Sequence, residues 1–187
     1  MNLIYVTRVD INLKAAQSLQ IRKMSESFCE SCTSFRLVYL VSDSKYKIQK
    51  YAKPIFLKLK NKFIRNVLFY FMALSDINDV KYDVVFTRDI AVVLLCLILR
   101  KNCTYEVHHD FEGFLGKFIF NLCKNSRYLK LVFISNGANI GFHERYNIKN
   151  DWIVCHDGYD PKIFKENMFH DQELEDLKHR YKKILVH

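Results

Sequence analysis

The sequence predicts an α/β fold built around one mostly parallel β-sheet with helices on both faces. Short runs of β-branched and aromatic residues alternate with longer helical stretches along the 187 residues. This alternation is typical of repeated strand–helix–strand units, whose parallel strands are buried between two layers of helices. Half of the residues are hydrophobic and only 5 Gly and 2 Pro occur, so we expect one domain with a sizeable core.

Six strands and four helices follow from the spacing of the apolar residues. The strands are predicted at residues 2–6, 36–41, 83–87, 104–108, 131–134 and 152–155. The helices are predicted at residues 14–29, 90–100, 114–124 and 138–146, where apolar residues recur near helical spacing. The order of the elements repeats strand, helix, strand, which is the pattern of the predicted parallel sheet.

Polar side chains follow most of these strands. Arg8 and Asn12 come after the first strand, Arg88 follows the third, His108 closes the fourth, and Ser135 follows the fifth. Ligands bind parallel sheets beyond the carboxyl ends of the strands, so these residues are the first candidates for function. A cleft is therefore predicted at this edge of the sheet.

The sequence lacks the motifs of two common classes of nucleotide-dependent enzyme. No G-x-G-x-x-G follows the first strand, and no G-x-x-x-x-G-K-[ST] occurs anywhere in the sequence. Dinucleotide-dependent redox chemistry and P-loop phosphoryl transfer therefore lack their usual anchors. No cofactor is expected.

The excess of basic residues indicates an anionic partner. The formal net charge is +9, and no acidic residue occurs between residues 44 and 75. Within that stretch, a basic amphipathic segment runs from Lys45 to Arg65. It is interpreted either as a solvated helix face or as a contact with an anionic membrane surface, whereas nucleic acid is not expected. The sequence has no basic leader and no apolar run long enough to span a bilayer, so we expect a cytoplasmic protein, at most peripheral on the inner face of the membrane.

Four stretches have the order and spacing of a known enzyme fold. They are NLIYVTRVDINLKAAQSLQIRKMSESF at residues 2–28, YDVVFTRD at 82–89, TYEVHHD at 104–110, and LVFISNGANIGFHERYNI at 131–148 followed by WIVCHDGYDPKIF at 152–164. Together they resemble the N-terminal domain of family 4 glycosyltransferases, which have the GT-B fold. The last stretch is similar to the hinge of that family and contains Gly158 and Asp160.

The resemblance implies a single Rossmann-like domain over residues 1–168, the N-terminal, acceptor-side half of a GT-B fold. Residues 169–187 would be a linker helix and the start of a second domain, whose donor-binding remainder is expected to be absent. The implied function is transfer of a sugar from a nucleotide-sugar donor to a polysaccharide or lipid-linked acceptor. The chain alone is expected to bind nucleotide sugar weakly and to be inactive without a separate donor domain.

The same resemblance implies roles for the polar edge. His108 would contact the donor sugar or the reacting centre, and the residues that hold phosphate or acceptor groups would be Arg8, Asn12, Arg88 and Ser135. Fixed hydrogen-bond donors and cations suit this reaction, because it develops positive charge on the sugar and negative charge on the leaving phosphate. No bound metal is implied.

Two other interpretations stay open. One is a non-catalytic Rossmann-like binding module that uses its basic surface to hold an anionic partner. The other is a metal-dependent hydrolase whose ligands would be His108, His109, Asp110 and Glu112. Neighbouring residues on a strand point to opposite faces, so His108 and His109 are not expected to reach one ion.

Overall fold

A seven-stranded, entirely parallel sheet forms the centre of the protein. The structure is a computed structural model and describes residues 1–13, 15–41, 50–108, 111 and 113–155, which lie in one compact unit. The strands among these residues are β1 (Asn2–Thr7), β2 (Ser34–Val41), β3 (Ala52–Phe56), β4 (Val84–Thr87), β5 (Asn102–Val107), β6 (Leu129–Phe133) and β7 (Trp152–Val154). Their order is β3-β2-β1-β4-β5-β6-β7, and every neighbouring pair is parallel. The predicted parallel sheet is confirmed.

The described helices cover both faces of this sheet, as the sequence predicts. They are α1 (Ala16–Ser31), α2 (Lys62–Ile77), α3 (Ile90–Ile98), α4 (Phe114–Cys123) and α5 (Asn136–Tyr146). α1 lies on one face, where Ile21 shares a buried cluster with Leu37. α2 to α5 lie on the other face, where Phe69 and Phe120 belong to a second buried cluster. The chain steps in one direction from β1 to β2 and in the other direction from β3 to β7, so right-handed crossovers place α1 opposite the other helices.

β1 shows why these strands are nearly continuous apolar runs. It lies between β2 and β4 in the sheet. Ile4 and Val6 belong to the cluster under α2 to α5, whereas Leu3 and Tyr5 belong to the cluster under α1. Successive side chains of a strand point to opposite faces, and both faces are covered here. A strand in this position therefore has no solvent-facing position for a polar residue.

Two elements that the sequence prediction missed involve the basic segment from Lys45 to Arg65. β3 lies inside it, and α2 begins at Lys62, so the segment is not one amphipathic helix. Pro54 concealed the strand, because proline has no N–H to donate to a neighbouring strand. β3 tolerates it because it is the edge strand of the sheet. Lys45 itself lies outside the described residues.

The predicted domain boundary at residue 168 lies outside the described residues, and so do the predicted hinge residues Gly158 and Asp160. In the described part of the chain, no helix combines the length and the apolar composition that crossing a membrane would require.

Candidate functional site

The carboxyl ends of β1, β4, β5 and β6 meet at one edge of the sheet, and the site residues predicted from the sequence lie along it. Arg8 follows β1, Arg88 follows β4, His108 follows β5, and Ser135 lies two residues beyond β6. These strands are hydrogen-bonded neighbours in parallel register, so the four residues emerge on the same side of the molecule. The predicted convergence of strand ends is therefore present.

Arg88, Glu106 and His108 form a series of polar contacts at this edge. The side chains of Arg88 and Glu106 are buried, with 5% and 4% of their surface exposed. Arg88 donates to Glu106 through two parallel hydrogen bonds, Nε to Oε2 at 2.8 Å and Nη2 to Oε1 at 2.9 Å. Oε1 of Glu106 also lies 3.0 Å from Nε2 of His108, whose side chain is 18% exposed. A bidentate arginine–carboxylate pair thus fixes the carboxylate that contacts the histidine.

Residues of α1 contact the guanidinium of Arg88 as well. Nη1 of Arg88 donates to Oε1 of Gln20 at 2.9 Å, and Nη2 also lies 3.1 Å from Sδ of Met24. Gln20 and Met24 lie one helical turn apart on α1, so they present one face of that helix to the guanidinium. Arg88 is therefore enclosed by protein groups, and its prediction as a substrate contact stays a prediction.

Electrostatics keep Glu106 ionised. Burial acts to raise the pKa of Glu106, but the hydrogen bonds from His108 and Arg88, together with their charges, outweigh it and lower the pKa below the ordinary value. An ionised carboxylate can only accept hydrogen bonds, so Nε2 of His108 must carry the hydrogen in their contact. Nδ1 is then the ring nitrogen that accepts in the neutral imidazole and donates in the imidazolium.

A cleft opens beside His108. It measures about 200 Å³ and lies between the end of β5 and one face of α5; its lining is Val107, His108, Gly137, Ala138, Gly141, Phe142 and Arg145. Gly137 and Gly141 are one helical turn apart and therefore share a face of α5. A Cβ placed on Gly141 would meet no atom within 4 Å. The cleft exists because α5 presents small residues at this face.

Ser135 caps α5 two residues before Gly137 of the cleft lining. Its Oγ accepts a hydrogen bond from the N–H of Ala138 at 3.1 Å, the usual contact of a helix-capping serine. The positive end of the helix dipole therefore lies at the same edge as His108. Ser135 has a clear structural role, and its predicted role as a substrate contact stays a prediction.

Arg8, Tyr70 and Asp89 form a second polar cluster on this edge. Asp89 is buried, caps α3 by accepting from the N–H of Ala91 at 3.2 Å, and pairs with Arg8. The hydroxyl of Tyr70 donates to the same carboxylate, 2.9 Å from Oδ2 and 3.1 Å from Oδ1. Burial and then the charge of Asp89 raise the pKa of Tyr70, so its phenol remains a donor. Arg8 is held in place but keeps 43% of its side chain exposed.

The loop after β1 is organised around Asp10. Its Oδ1 accepts from both the backbone N–H and the side-chain Nδ2 of Asn12, each at 3.0 Å. Its carbonyl oxygen accepts from the hydroxyl of Ser18, which ties the loop to the start of α1. Asn12 therefore has a fixed side-chain amide at the edge of the sheet, although its role toward a substrate stays a prediction.

A larger hollow lies at the opposite edge of the sheet. It measures about 550 Å³ and is lined by Leu74, Ser75, Asn78, Asp79 and Leu99. These residues belong to the last turn of α2 and to the positions directly after α2 and α3, which in a parallel α/β unit lie at the amino ends of the strands. No candidate residue is there, and ligands of open parallel sheets bind at the carboxyl ends, so the smaller cleft is the better candidate.

The prediction from sequence assigned no role to Glu106, although Glu106 contacts both Arg88 and His108. The signal that could have found it was its position two residues before His108, which places both side chains on the same face of a strand. The metal alternative rests mainly on His109, Asp110 and Glu112, which lie outside the described residues. Within the described ranges, no three His, Cys, Asp or Glu side chains are grouped as a metal site requires.

Comparisons with known proteins identify the fold. No protein-family model and no curated protein matches the sequence. Solved structures that match include the lipopolysaccharide outer core galactosyltransferase WaaB in its apo form, with a TM-score of 0.58 and 14% identity over 86% of this chain and 46% of that one. Anabaena Alr3699/HepE in complex with UDP and glucose matches with a TM-score of 0.56 and 10% identity over 96% of this chain and 50% of that one.

A glycosyltransferase from Rickettsia africae ESF-5 matches to a similar extent, with a TM-score of 0.56 and 15% identity over 97% of this chain and 49% of that one. The chain thus spans about half the length of the solved structures it matches. The Rossmann-like α/β architecture is that of one half of GT-B glycosyltransferases, which confirms the predicted fold class.

Proposed function

We propose that this chain is the acceptor-side half of a glycosyltransferase that moves a sugar from a nucleotide-sugar donor to a polysaccharide or lipid-linked acceptor. The observation that carries the proposal is the buried Arg88–Glu106 pair that holds His108 at the mouth of the cleft beside α5. The structural likeness to glycosyltransferases, one of them solved with UDP and glucose, supports this reaction class.

His108 is the proposed group at the reacting centre. The ionised carboxylate of Glu106 accepts a hydrogen bond from Nε2–H, which fixes both the tautomer and the plane of the ring. Nδ1 is then the atom that hydrogen-bonds a hydroxyl of the donor sugar in our mechanism. This arrangement suits a transition state in which the sugar becomes positive and its hydroxyls polarise.

Arg88 acts on the substrate through Glu106 in this proposal. Its guanidinium has four close protein contacts and almost no exposed surface. It is therefore a positioning residue, whose contribution is to keep Glu106 ionised and aligned with His108. Arg8 is the better proposed phosphate or acceptor contact, because Asp89 and Tyr70 hold its position while 43% of its side chain remains exposed. Asn12 and Ser135 are proposed as neutral contacts at the same edge.

The nucleotide is proposed to bind mainly to a second half. The solved structures that match are about twice as long as this chain, and the cleft of about 200 Å³ is small for a nucleotide sugar. We therefore expect weak binding of free nucleotide sugar by these 187 residues and no turnover by them alone. Gly158 and Asp160 are proposed to lie in the hinge between the halves, with residues 1–168 forming the first domain.

The test is reconstitution. A donor-binding half is supplied by fusion after His187 or as a separate chain, and sugar incorporation is measured with a panel of nucleotide sugars and lipid-linked acceptors. The proposal predicts turnover only when both halves are present. Tight binding of a nucleotide sugar by the 187 residues alone would contradict the division of labour. Failure of every reconstituted combination would contradict the proposed reaction.

A further inference from the structure

Three neighbouring helices expose apolar side chains on their outer surface. On α2 these are Phe63, Ile64, Leu68, Phe71 and Met72; on α3, Ile98; and on α4, Phe114, Leu115, Phe118 and Leu122. Phe71 is 66% exposed and Phe114 is 82% exposed. Singly exposed apolar residues are common on proteins, but a group on adjacent elements marks an interaction surface. We call this group the outer apolar face.

The face is continuous because α3 lies between the other two helices. α3 follows β4 and α4 follows β5, and both helices pack with α2 on the same side of the sheet. All nine residues of α3 are apolar, from Ile90 to Ile98. The rings of Phe114 and Phe118 stack on α4 with centroids 6.0 Å apart. Three apolar helix surfaces thus adjoin one another.

α2 is apolar on two opposite sides. Phe69, Ala73 and Ile77 are buried against the sheet, as an amphipathic helix requires. A second apolar stripe of α2 faces away from the sheet. Its exposed residues follow one another at spacings of four, three and one: Ile64, Leu68, Phe71 and Met72. A helix that is apolar all round is normally buried on all sides. The outer stripe of α2 is therefore a candidate surface for a partner.

The exposed charges on the three helices of the face are all positive. The structure describes every residue of α2, α3 and α4, and their only acidic residue is Asp76. Asp76 is buried and is held by Lys53 and Arg36, so it does not offset charge at the surface. Lys62 and Lys117 are exposed on α2 and α4, and Lys58 and Lys60 are exposed just before α2. The face therefore combines an apolar centre with cations and no exposed acid on its helices.

We propose that the outer apolar face docks on the surface of an anionic lipid bilayer. A protein surface binds such a membrane through two features. Its apolar side chains enter the boundary between headgroups and acyl chains, and neighbouring lysines reach the lipid phosphates. A second copy of the chain fits less well, because pairing two such faces would bring cations against cations across helices that, over residues 62–77, 90–98 and 114–123, expose no carboxylate. The charge pattern thus selects the lipid surface over self-association.

This docking would leave the candidate site next to the membrane. Phe63 and Ile64 lie in the first turn of α2, and Phe114 and Leu115 lie in the first turn of α4. The first turns of these helices follow the carboxyl ends of β3 and β5, which is the edge of the sheet that carries His108. The inference stands independently of the proposed reaction, since it rests on the outer surface of the helices.

The test is flotation of the 187-residue chain with vesicles. One set contains only phosphatidylcholine, and the other also contains phosphatidylglycerol, each at low and high salt. The apolar variant is Phe71→Ser with Phe118→Ser, and its matched control is Ile153→Ser, an exposed apolar residue on β7 outside the face. The charge variant is Lys62→Gln with Lys117→Gln, and its control is Lys23→Gln on α1, on the opposite side of the sheet. Thermal unfolding of each variant verifies that it is folded.

We expect the chain to float with phosphatidylglycerol vesicles, less at high salt, and poorly with phosphatidylcholine alone. Each lysine substitution should lower partitioning about fivefold, from about 1 kcal/mol per lysine at an anionic surface. Each phenylalanine substitution should lower it roughly tenfold or more. Both controls should float like the unmodified chain. Equal flotation of the apolar variant, or no flotation with anionic vesicles, would overturn the proposal. A dimer in sedimentation velocity that Phe71→Ser with Phe118→Ser dissociates, without flotation, would assign the face to a second copy instead.

Discussion

Oε1 of Glu106 lies 3.0 Å from Nε2 of His108, and the same carboxylate accepts two hydrogen bonds from the buried guanidinium of Arg88. The orientation of the imidazole at the cleft therefore depends on a residue two positions earlier on the chain and on an arginine directly after the neighbouring strand β4. This arrangement separates two functions. Arg88 and Glu106 form a buried, charged support, and His108 is the partly exposed side chain that lines the cleft.

Removing either partner of the buried Arg88–Glu106 pair should destabilise the folded protein. Glu106→Gln and Arg88→Met should each lower the free energy of unfolding by about 3–5 kcal/mol, because each leaves a buried charge without its counterion. The double variant should lose less than the sum of the two, since no unpaired charge remains. Urea unfolding measures all four proteins. Glu26→Gln, which removes the exposed pair with Lys23, is the control and should cost less than about 1 kcal/mol. Additive losses for the two buried residues would contradict the pairing.

The same pair should contribute to stability in a defined pH range. The pKa of Glu106 is lower in the folded protein than its ordinary value of 4.5. Its contribution is therefore fully present above that value and is lost as the pH falls through the lower, folded-state pKa. The unfolding free energy of the unmodified protein should decline more steeply below pH 4.5 than that of the Arg88→Met, Glu106→Gln double variant. Identical slopes for the two proteins would show that Glu106 is not linked to acid unfolding.

Asp89 should contribute more to the stability of the protein than an ordinary helix-capping residue does. Asp89→Ala should cost about 2–4 kcal/mol, because it removes a cap and also leaves the Tyr70 hydroxyl without its acceptor. Asn61→Ala is the matched control: Asn61 caps α2 by accepting from two N–H groups but holds no other side chain among the described residues, so its loss should cost about 1 kcal/mol. Thermal and urea unfolding measure both. Equal losses would indicate that the cluster with Arg8 and Tyr70 adds nothing to the cap.

Substitutions at Gly141 test the volume of the cleft separately from the stability of the fold. Gly141→Ala should raise the unfolding free energy by about 0.5–1 kcal/mol, because alanine favours the helix and its Cβ enters open space. Gly141→Leu should leave the fold intact but extend into the cleft, and it should therefore weaken substrate use in the reconstituted enzyme. Ile140→Leu, at the neighbouring exposed position of α5, is the control. Full activity of the Gly141→Leu enzyme would show that the substrate does not use the cleft.

Most of the sheet could be predicted from the sequence, because both faces of a parallel sheet are buried and its strands become short apolar runs. β3 is the exception. Its proline and its position at the edge, where burial is incomplete, remove the two signals that identify a strand. α2 was not predicted either: only its first turn lies in the basic segment that ends at Arg65, and the apolar residues that follow were assigned to no element.

The site could be predicted only in part. Strand ends direct attention to Arg8, Arg88 and His108, but the sequence alone does not distinguish a buried cation from an exposed one. Arg88 and Arg8 both follow a strand, yet one is enclosed by Glu106 and α1, and the other keeps 43% of its side chain exposed. Such a difference arises from which helix packs over each strand end, and it becomes visible only in the fold.

The turnover of a reconstituted enzyme carrying His108→Ala tests the central claim most directly. With a donor-binding half supplied, the substitution should lower kcat by a factor on the order of 10² to 10³, the size expected for loss of one preorganised polar contact. Its melting temperature should stay close to that of the unmodified protein, because the side chain lies at the rim of the core. His143→Ala, a histidine of α5 outside the cleft lining, should retain its kcat. A reconstituted enzyme with unchanged kcat after His108→Ala would contradict the account.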